Sequence, residues 1–244
     1  MWALSTTGLV LVWAVVAWYA QSRALPSPLQ VLEAVVSEYH SGDLIFHTTA
    51  TLIRVAAAFL VAMVIGSAVG IALGRSQTLD YFFDPWVILF LNIPALVIIV
   101  LSYIWFGLSE AAAIGAVALN KIPNVVVTVR EGAKSMDPSY MEMARVFKFS
   151  RFKTLIHVIL PQLQPYLAAA TRSGIALIWK IVLVVELLGR SNGVGFQIHL
   201  YFQLFDVATI LAYTLTFVFV MLLVEFLLLQ PLERHSRRWR ASHA

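Results

Sequence analysis

The segment YMEMARVFK at residues 140–148, followed by VILP at 158–161, is a polar, basic interruption in a chain dominated by apolar runs. Apolar side chains recur in it at helical spacing, at Tyr140, Met143, Ala144 and Phe147 and again at Phe152, Leu155, Ile156 and Ile159. This spacing predicts two short amphipathic helices. Ser150 lies between them, where its hydroxyl is expected to cap the second helix. Two capped amphipathic helices between apolar runs are typical of a docking element.

The rest of the chain is too apolar for a soluble domain. Of its 244 residues, 60% are hydrophobic and 12% are charged, and the mean hydropathy is +0.84. Soluble domains carry about 25% charged residues, so we interpret the chain as an integral membrane protein. Cysteine is absent, which excludes disulfides, thiolate catalysis and cysteine-ligated metals.

Six apolar runs approach or exceed the roughly 20 residues that a membrane crossing needs. They are Ala3–Ala20, Thr48–Gly74, Asp84–Phe106, Glu110–Val129, Pro165–Leu188 and Val207–Leu229. They predict an all-α fold with about six transmembrane helices in a single membrane domain over residues 1–244. The external segment, about 21–46, is expected to hold a short interfacial helix at Leu29–Tyr39.

The distribution of charge predicts the orientation in the membrane. The central loop, about 130–162, carries six basic residues against three acidic ones, and the C-terminal tail carries four arginines against Glu233. The segment 21–46 carries one basic residue against three acidic ones. Because basic loops stay in the cytosol, both basic segments and both termini are expected to be cytoplasmic. This pattern explains the pI of about 9.5 without nucleic-acid binding.

The central loop resembles the EAA loop of ABC-importer permeases. That pattern is Glu-Ala-Ala, three residues, Gly, nine residues, then an aliphatic residue, any residue and Leu-Pro. The matching positions here are Glu142, Met143, Ala144, Val158, Leu160 and Pro161. Lys148 stands at the glycine position, and because glycine alone adopts positive φ freely, the turn is expected to differ from the family's.

Further motifs resemble the nitrate, sulfonate and taurine branch of this family over nearly the whole chain. They include Leu25-Pro26-Ser27-Pro28, Thr51-Leu52-Ile53-Arg54, Ile93-Pro94-Ala95, Trp105-Phe106-Gly107, Gly193-Val194-Gly195, and a tail with Leu232-Glu233-Arg234 and Trp239. Gly66, Gly70 and Gly74 share one helix face, which predicts close approach of another helix.

Polar residues inside spans are costly and are candidates for a translocation path. The candidates are Asn92, Pro94, Asn120, Lys121, Lys180 and Glu186. Lys121 and Lys180 either face the path, which would suit an anion, or pair with Glu186 or Glu110. Prolines at Asn92-Ile93-Pro94 and Ile122-Pro123-Asn124 predict helix breaks or kinks. Arg54, Arg172 and Glu225 lie near predicted span ends and are expected to extend to the interface.

No catalytic or metal-binding pattern occurs in the sequence. The six histidines are scattered, and His-Glu-x-x-His, Gly-x-Ser-x-Gly and the phosphate-binding Gly-x-x-x-x-Gly-Lys-Ser/Thr are missing. We therefore predict a transport subunit that is not an enzyme and binds no metal or cofactor itself.

The resemblance implies a type I ABC-importer permease of the bacterial cytoplasmic membrane. Its implied partners are two cytoplasmic ATPase subunits that hold ATP and Mg²⁺, an external solute-binding protein and a second permease copy, most simply as a homodimer. The implied ATPase-coupling residues are Tyr140, Glu142, Met143, Ala144, Arg145, Phe147, Lys148, Ser150, Leu160 and Pro161.

The implied solute is a small anion of the sulfonate, nitrate or taurine kind. The alternatives are a pyrimidine- or flavin-like compound or another organic nutrient. Less compatible with the loop are a stand-alone secondary transporter or channel and a membrane-embedded enzyme.

Overall fold

The computed structural model describes residues 2–230, and within that range it contains helices and no strands. The predicted tail motif and tail arginines lie outside the described residues. The helices are α1 (Trp2–Ala20), α2 (Pro28–Ser41), α3 (Asp43–Arg75), α4 (Gln77–Asn92), α5 (Ala95–Phe106), α6 (Glu110–Lys134), α7 (Pro138–Val146), α8 (Arg151–Thr154), α9 (Leu160–Gly189), α10 (Val194–Gln203) and α11 (Val207–Val224). Residues 155–159 and 225–229 form π-helical turns.

Four described helices are long and apolar enough to cross a membrane: Asp43–Arg75, Glu110–Lys134, Arg151–Gly189 and Val207–Leu227. Helices α4 and α5 add a fifth crossing if together they form one span, and they bend by 94° at their junction. The expected first span corresponds to a shorter apolar helix, Leu4–Ala20. The all-α membrane fold is confirmed, with four or five crossings by length where about six were expected.

Contacts group the described residues into two compact units. The first holds residues 2–53 and 183–224, and the second holds 54–182 and 225–230. The expectation of a single domain over 1–244 stays a prediction.

The two interior prolines behave differently. Ile93 has the extended conformation that proline favours in the residue before it, and α4 ends there. The predicted break at Asn92-Ile93-Pro94 is therefore present, and the expected span Asp84–Phe106 consists of two helices that meet at this break. Pro123 lies buried inside α6, which continues through it. No break forms at Pro123, because neighbouring packing in membrane helices tolerates one missing hydrogen bond.

The second predicted loop helix is not separate. Residues Arg151–Gly189 form one 39-residue helix, about 58 Å long at 1.5 Å per residue, which exceeds the roughly 40–45 Å of a whole bilayer. The π-turn, in which the Leu160 N–H donates to the Leu155 carbonyl, directly precedes Pro161. The wider turn leaves room for the ring of Pro161, which would otherwise press on the carbonyl four residues back.

Helix α3 packs against α6 through the three glycines, as their spacing predicts. A Cβ on Gly66 would lie 2.6 Å from the Cβ of Val125, and one on Gly70 would lie 2.9 Å from the Cβ of Val129. Membrane helices gain little from the hydrophobic effect against one another, so such close contact is a main source of their association. Val129 and Val125 continue into a buried cluster with Ile159, Leu163 and Ala170 of the long helix.

In the first unit, the predicted external helix is present as α2. Ser27 and Gln30 form a reciprocal capping box at its start. Near its end, the Glu38 carboxylate accepts hydrogen bonds from the Tyr201 hydroxyl at 2.9 Å and the Tyr213 hydroxyl at 2.6 Å. Burial, with Glu38 beside it, raises the pKa of Tyr201 to about 12, so this hydroxyl remains a donor at physiological pH. These bonds fix α2 to α10 and α11.

Substitution Gly70→Ala tests the contact between α3 and α6. Overpacking of this kind costs about 1–3 kcal/mol, so we expect a lower melting temperature in detergent. Gly115→Ala on α6 is the matched control, because a Cβ there meets nothing within 4 Å. Equal melting temperatures for the two variants would contradict the close contact.

Candidate functional site: the central loop and the polar groups of the spans

The central loop is held at both ends by the long helices that flank it. The Tyr166 ring packs on Gly132, and its hydroxyl lies 2.8 Å from the Ser135 hydroxyl. The Gln162 side chain accepts a hydrogen bond from the Asp137 N–H at 2.9 Å. These contacts join the end of α6 to the start of α9, so a displacement of α7 is transmitted to both helices.

Helix α7 turns one face inward and leaves the other exposed. Ala144 is buried, and Met141 packs against the cluster of α6 and α9. Tyr140, Met143 and Phe147 are exposed, and Phe147 keeps 68% of its surface accessible. The amphipathic helix that the spacing predicts is therefore present, and of its four apolar side chains only Ala144 is buried within the loop. Large apolar side chains that remain exposed in this way mark a contact surface.

Lys148 adopts the backbone conformation that glycine usually supplies. Its φ is +50°, its N–H donates to the Arg145 carbonyl at 3.0 Å, and the Phe149 N–H donates to the Ala144 carbonyl at 2.9 Å. This pair of bonds is a Schellman motif, in which the residue at the position of Lys148 is left-handed. Lys148 therefore takes the left-handed conformation itself, and the expectation that the turn differs from the family's stays a prediction. Ser150 follows and caps α8 as predicted, accepting from the Lys153 N–H.

Two basic residues before α7 are neutralised by acids of α4, which sequence reasoning did not find. Arg130 lies 3.0 Å from Asp80 and 2.6 Å from Asp84, and Lys134 lies 2.8 Å from Asp80. The i, i+4 spacing of Asp80 and Asp84 was the available signal. The excess positive charge of the loop therefore resides in its later residues.

An ion pair between a buried arginine and a half-exposed glutamate lies at the start of α6. The Arg54 guanidinium, 4% exposed, donates to both oxygens of Glu110 at 2.9 and 2.6 Å. The expectation that Arg54 extends to the interface stays a prediction, since its partner is the first residue of α6 and is half exposed. The pair also removes Glu110 as a partner for Lys121.

Lys121 lies near the middle of α6 and is 2% exposed. Within residues 2–230 its ammonium group has neither a hydrogen bond nor an ion pair, so the proposed pairing with Glu186 or Glu110 does not form. Gly174 faces it, since a Cβ there would lie 3.4 Å from the Lys121 Cε. An isolated charge in an apolar interior is strongly unfavourable unless a counter-charge arrives.

The other candidates for the path differ from Lys121 in burial or in having a contact partner. Asn92 is exposed and donates to the Ile88 carbonyl, Asn120 is partly buried, and Lys180 is exposed with its ammonium 5.6 Å from the Trp179 ring. Their role in a path stays a prediction. Within the described range no group of three or more His, Asp or Glu residues is arranged to hold a metal ion.

Glu186 is completely buried at the N-terminus of α10. Its carboxylate accepts from the Gly195 N–H and the Thr51 hydroxyl, both at 2.9 Å. The Thr51 hydroxyl also accepts from the Val194 N–H at 2.8 Å, and His47 Nδ1 accepts from the Gly193 N–H. Three successive backbone donors are thus satisfied, and the carboxylate occupies the favourable end of the helix dipole. This packing explains the glycines of the Gly193-Val194-Gly195 motif.

Comparison with known families identifies the chain. The family model of binding-protein-dependent transport system inner membrane components matches residues 62–240. The chain belongs to this family. It is an ABC-importer permease subunit, as the EAA-type loop indicated.

Curated relatives of the permease carry names from the predicted branch. It is 27% identical to a putative aliphatic sulfonates transport permease of Bacillus subtilis, over 96% of this chain and 86% of the relative. It is 30% identical to the taurine transport system permease of Escherichia coli, over 88% and 80%, and 28% identical to the nitrate import permease of a Synechocystis strain, over 80% and 74%.

Solved structures agree with the fold of the permease. A chain of the MetNI methionine ABC transporter, in an inward-facing conformation, matches with a TM-score of 0.64 at 18% identity, covering 77% of this chain and 92% of that one. A chain of an amino acid ABC transporter matches with a TM-score of 0.63 at 20% identity, covering 82% and 97%. At these identities the match supports the fold alone.

Lys148→Gly should stabilise the permease, because a left-handed non-glycine residue costs about 1–2 kcal/mol. We expect a higher melting temperature in detergent. Lys153→Gly is the matched control, since it removes a lysine from a helical position and should destabilise by about 1 kcal/mol. A Lys148→Gly protein that melts below the wild type would show that the turn is not strained.

Proposed function

We propose that this permease subunit imports a small anion and that its central loop couples transport to ATP hydrolysis by two cytoplasmic ATPase subunits. The observation that carries the coupling is the geometry of α7. It ends in the Schellman turn at Lys148, the segment before its start is joined to α9 through Ser135 and Asp137, and it exposes Tyr140, Met143 and Phe147. Such a helix fits a groove on a partner and transmits its displacement.

The proposed assembly contains two copies of the permease, two ATPases and an external solute-binding protein. ATP and Mg²⁺ are held by the ATPases, and the permease contributes movement without a catalytic step. Both of its termini and residues 130–162 face the cytosol, in agreement with their positive charge. The segment 21–46, with α2, faces outward and receives the binding protein.

Transport follows from differential binding of ATP to the closed pair of ATPases. Closure brings the two loops together, and because each loop is fixed to α6 and α9, the spans rock from an inward-facing to an outward-facing state. Hydrolysis restores the inward-facing state. ATP thus shifts the population of two permease conformations.

Lys121 supports an anionic solute. An uncompensated lysine buried near the middle of a span is stabilised by an anion and by no neutral compound to the same degree. The proposed path includes Lys121 with Asn92, Pro94, Asn120, Lys180 and Glu186. Relatives named for sulfonates, taurine and nitrate agree with this class. Neutral pyrimidine- or flavin-like compounds would leave the ammonium without a partner.

Glu142→Lys tests the coupling. Glu142 is exposed, so the substitution should change the free energy of unfolding by less than about 0.5 kcal/mol. Reversing a charge at a docked interface should reduce ATP-driven uptake by about tenfold or more. Uptake is measured in proteoliposomes that contain the reconstituted complex with its ATPase subunits. Glu33→Lys, on the external helix α2, makes the same change of charge outside the loop, so it is the control for co-purification of the ATPase, which Glu142→Lys should weaken and Glu33→Lys should not. Uptake that follows an ion gradient and continues after ATP depletion would refute the proposal.

Lys121→Gln tests the anion. Losing a charged hydrogen bond costs about 1.5–3 kcal/mol, which corresponds to an increase in KM of roughly ten- to a hundredfold. Uptake of radiolabelled taurine, nitrate and methanesulfonate by reconstituted complexes provides the measurement, and Lys121→Arg should retain activity. Basal ATP hydrolysis should not change. If Lys121→Gln transports all three anions with the wild-type KM, Lys121 does not bind the solute.

A further inference from the structure

Three arginines surround one cavity beside the coupling helix. The cavity has a volume of about 330 Å³ and lies among the end of α3, α7 and the start of α8. Its charged lining is Arg75, Arg145 and Arg151, and its apolar lining includes Met141, Phe149 and Ile159. No acidic residue of the described chain lines it.

The described chain provides no counter-charge for these arginines. Within residues 2–230 none of the three guanidinium groups forms an ion pair or a side-chain hydrogen bond. Of the neighbouring cations, Arg130 and Lys134 pair with acids, the Lys153 ammonium lies 4.3 Å from the Phe149 ring, and Lys148 is exposed and does not line the cavity. Three like charges around a shared cavity repel one another, so an anion that enters it relieves this repulsion.

The occupant must also cover apolar surface. Val146 and Phe147 directly follow Arg145, and Phe152 directly follows Arg151, and all three side chains are largely exposed. A free inorganic anion would neutralise the arginines and leave these side chains in water. A protein surface that combines an acidic group with an apolar groove covers both.

We propose that a carboxylate side chain of the ATPase subunit enters this arginine cavity when the loop docks. This inference rests on the proposed function and specifies the chemistry of the partner. Guanidinium groups bind carboxylates through two parallel hydrogen bonds, a geometry that a lysine cannot offer. Exclusion of water by the surrounding apolar side chains strengthens such a pair beyond its value on an open surface.

The cavity gives the ATPase a second point of contact. Arg145 and Arg151 belong to the loop, but Arg75 is the last residue of α3, which spans the membrane. A carboxylate bound by all three connects the partner to α3 directly as well as through α7. Because α3 packs on α6 through its glycines, both helices then move with the ATPase.

The test measures binding of the purified cognate ATPase to the permease in nanodiscs of zwitterionic phosphatidylcholine. Arg75→Gln and Arg151→Gln should each raise the Kd by about tenfold or more, and the double variant should lose most of the salt dependence of binding. Lys153→Gln is the matched control, since it removes one charge from α8 without lining the cavity. Its Kd should stay within about twofold of the wild type.

Each outcome is decisive. Arginine variants that bind as the Lys153→Gln control does would overturn the inference while leaving the coupling proposal intact. Variants that bind normally in phosphatidylcholine and weakly only in phosphatidylglycerol nanodiscs would assign the cavity to an anionic lipid headgroup and also overturn it. Loss of the arginine effect on addition of inorganic phosphate, with unchanged wild-type Kd, would assign it to a soluble anion. If the wild type itself fails to bind the ATPase, the proposed function fails first.

A second variant protects the test against misfolding. Arg75→Glu should abolish binding, and a carboxylate-to-lysine substitution in the ATPase that restores it identifies the entering group. A search of all surface carboxylates of the ATPase that finds no rescue, together with normal melting of Arg75→Glu, would contradict a direct pair.

Discussion

The contact of α3 with α6 through glycines is the constraint on which the second unit depends. In lipid, an apolar side chain gains little free energy when it exchanges contact with lipid for contact with another helix. Helices therefore associate where their backbones can approach closely. Gly66, Gly70 and Gly74 provide that approach, and the valines of α6 fill it. Once α6 is positioned, its buried side joins the long helix through the cluster around Leu163. The two ends of the central loop, at α6 and at α9, are then fixed in position.

Several buried polar groups elsewhere in the structure form hydrogen bonds or ion pairs. Arg54 has Glu110, and Glu186 has the backbone of α10 together with Thr51. These partners explain why charged groups can persist in an apolar environment. Lys121 differs from these two residues, because its side chain is buried and its ammonium has no counter-charge within the described residues. This contrast is the reason why Lys121, and not Arg54, is proposed to bind the solute.

The loop combines rigidity with exposed contact surface. A Schellman turn ends α7 at Lys148, Ser150 begins the next helix at once, and that helix continues without a break into the membrane. A stiff connection of this kind is what a coupling element requires, since flexibility would absorb the displacement. The lysine at the turn is therefore expected to lower stability, because its backbone is left-handed. The arginine cavity beside it extends the contact surface from the loop to the end of α3.

The sequence alone determined those features that depend on composition and near neighbours. Apolar run lengths established a helical membrane protein, and local rules located the α2 helix, the Ser150 cap and the break at Pro94. The spacing of the loop motif identified the family, which the family model confirms over residues 62–240.

Only the tertiary structure decided which residues meet across long distances in the chain. It paired Arg54 with Glu110, enclosed Glu186 at the start of α10, carried α6 through Pro123 and joined the second loop helix to its span. Periodicity reports which face of a helix is apolar, but it does not report what lies opposite. For this reason the sequence left open whether Lys121 pairs with an acidic residue or faces a path. Only the three-dimensional positions of the acidic residues show that it has no ion-pair partner within residues 2–230.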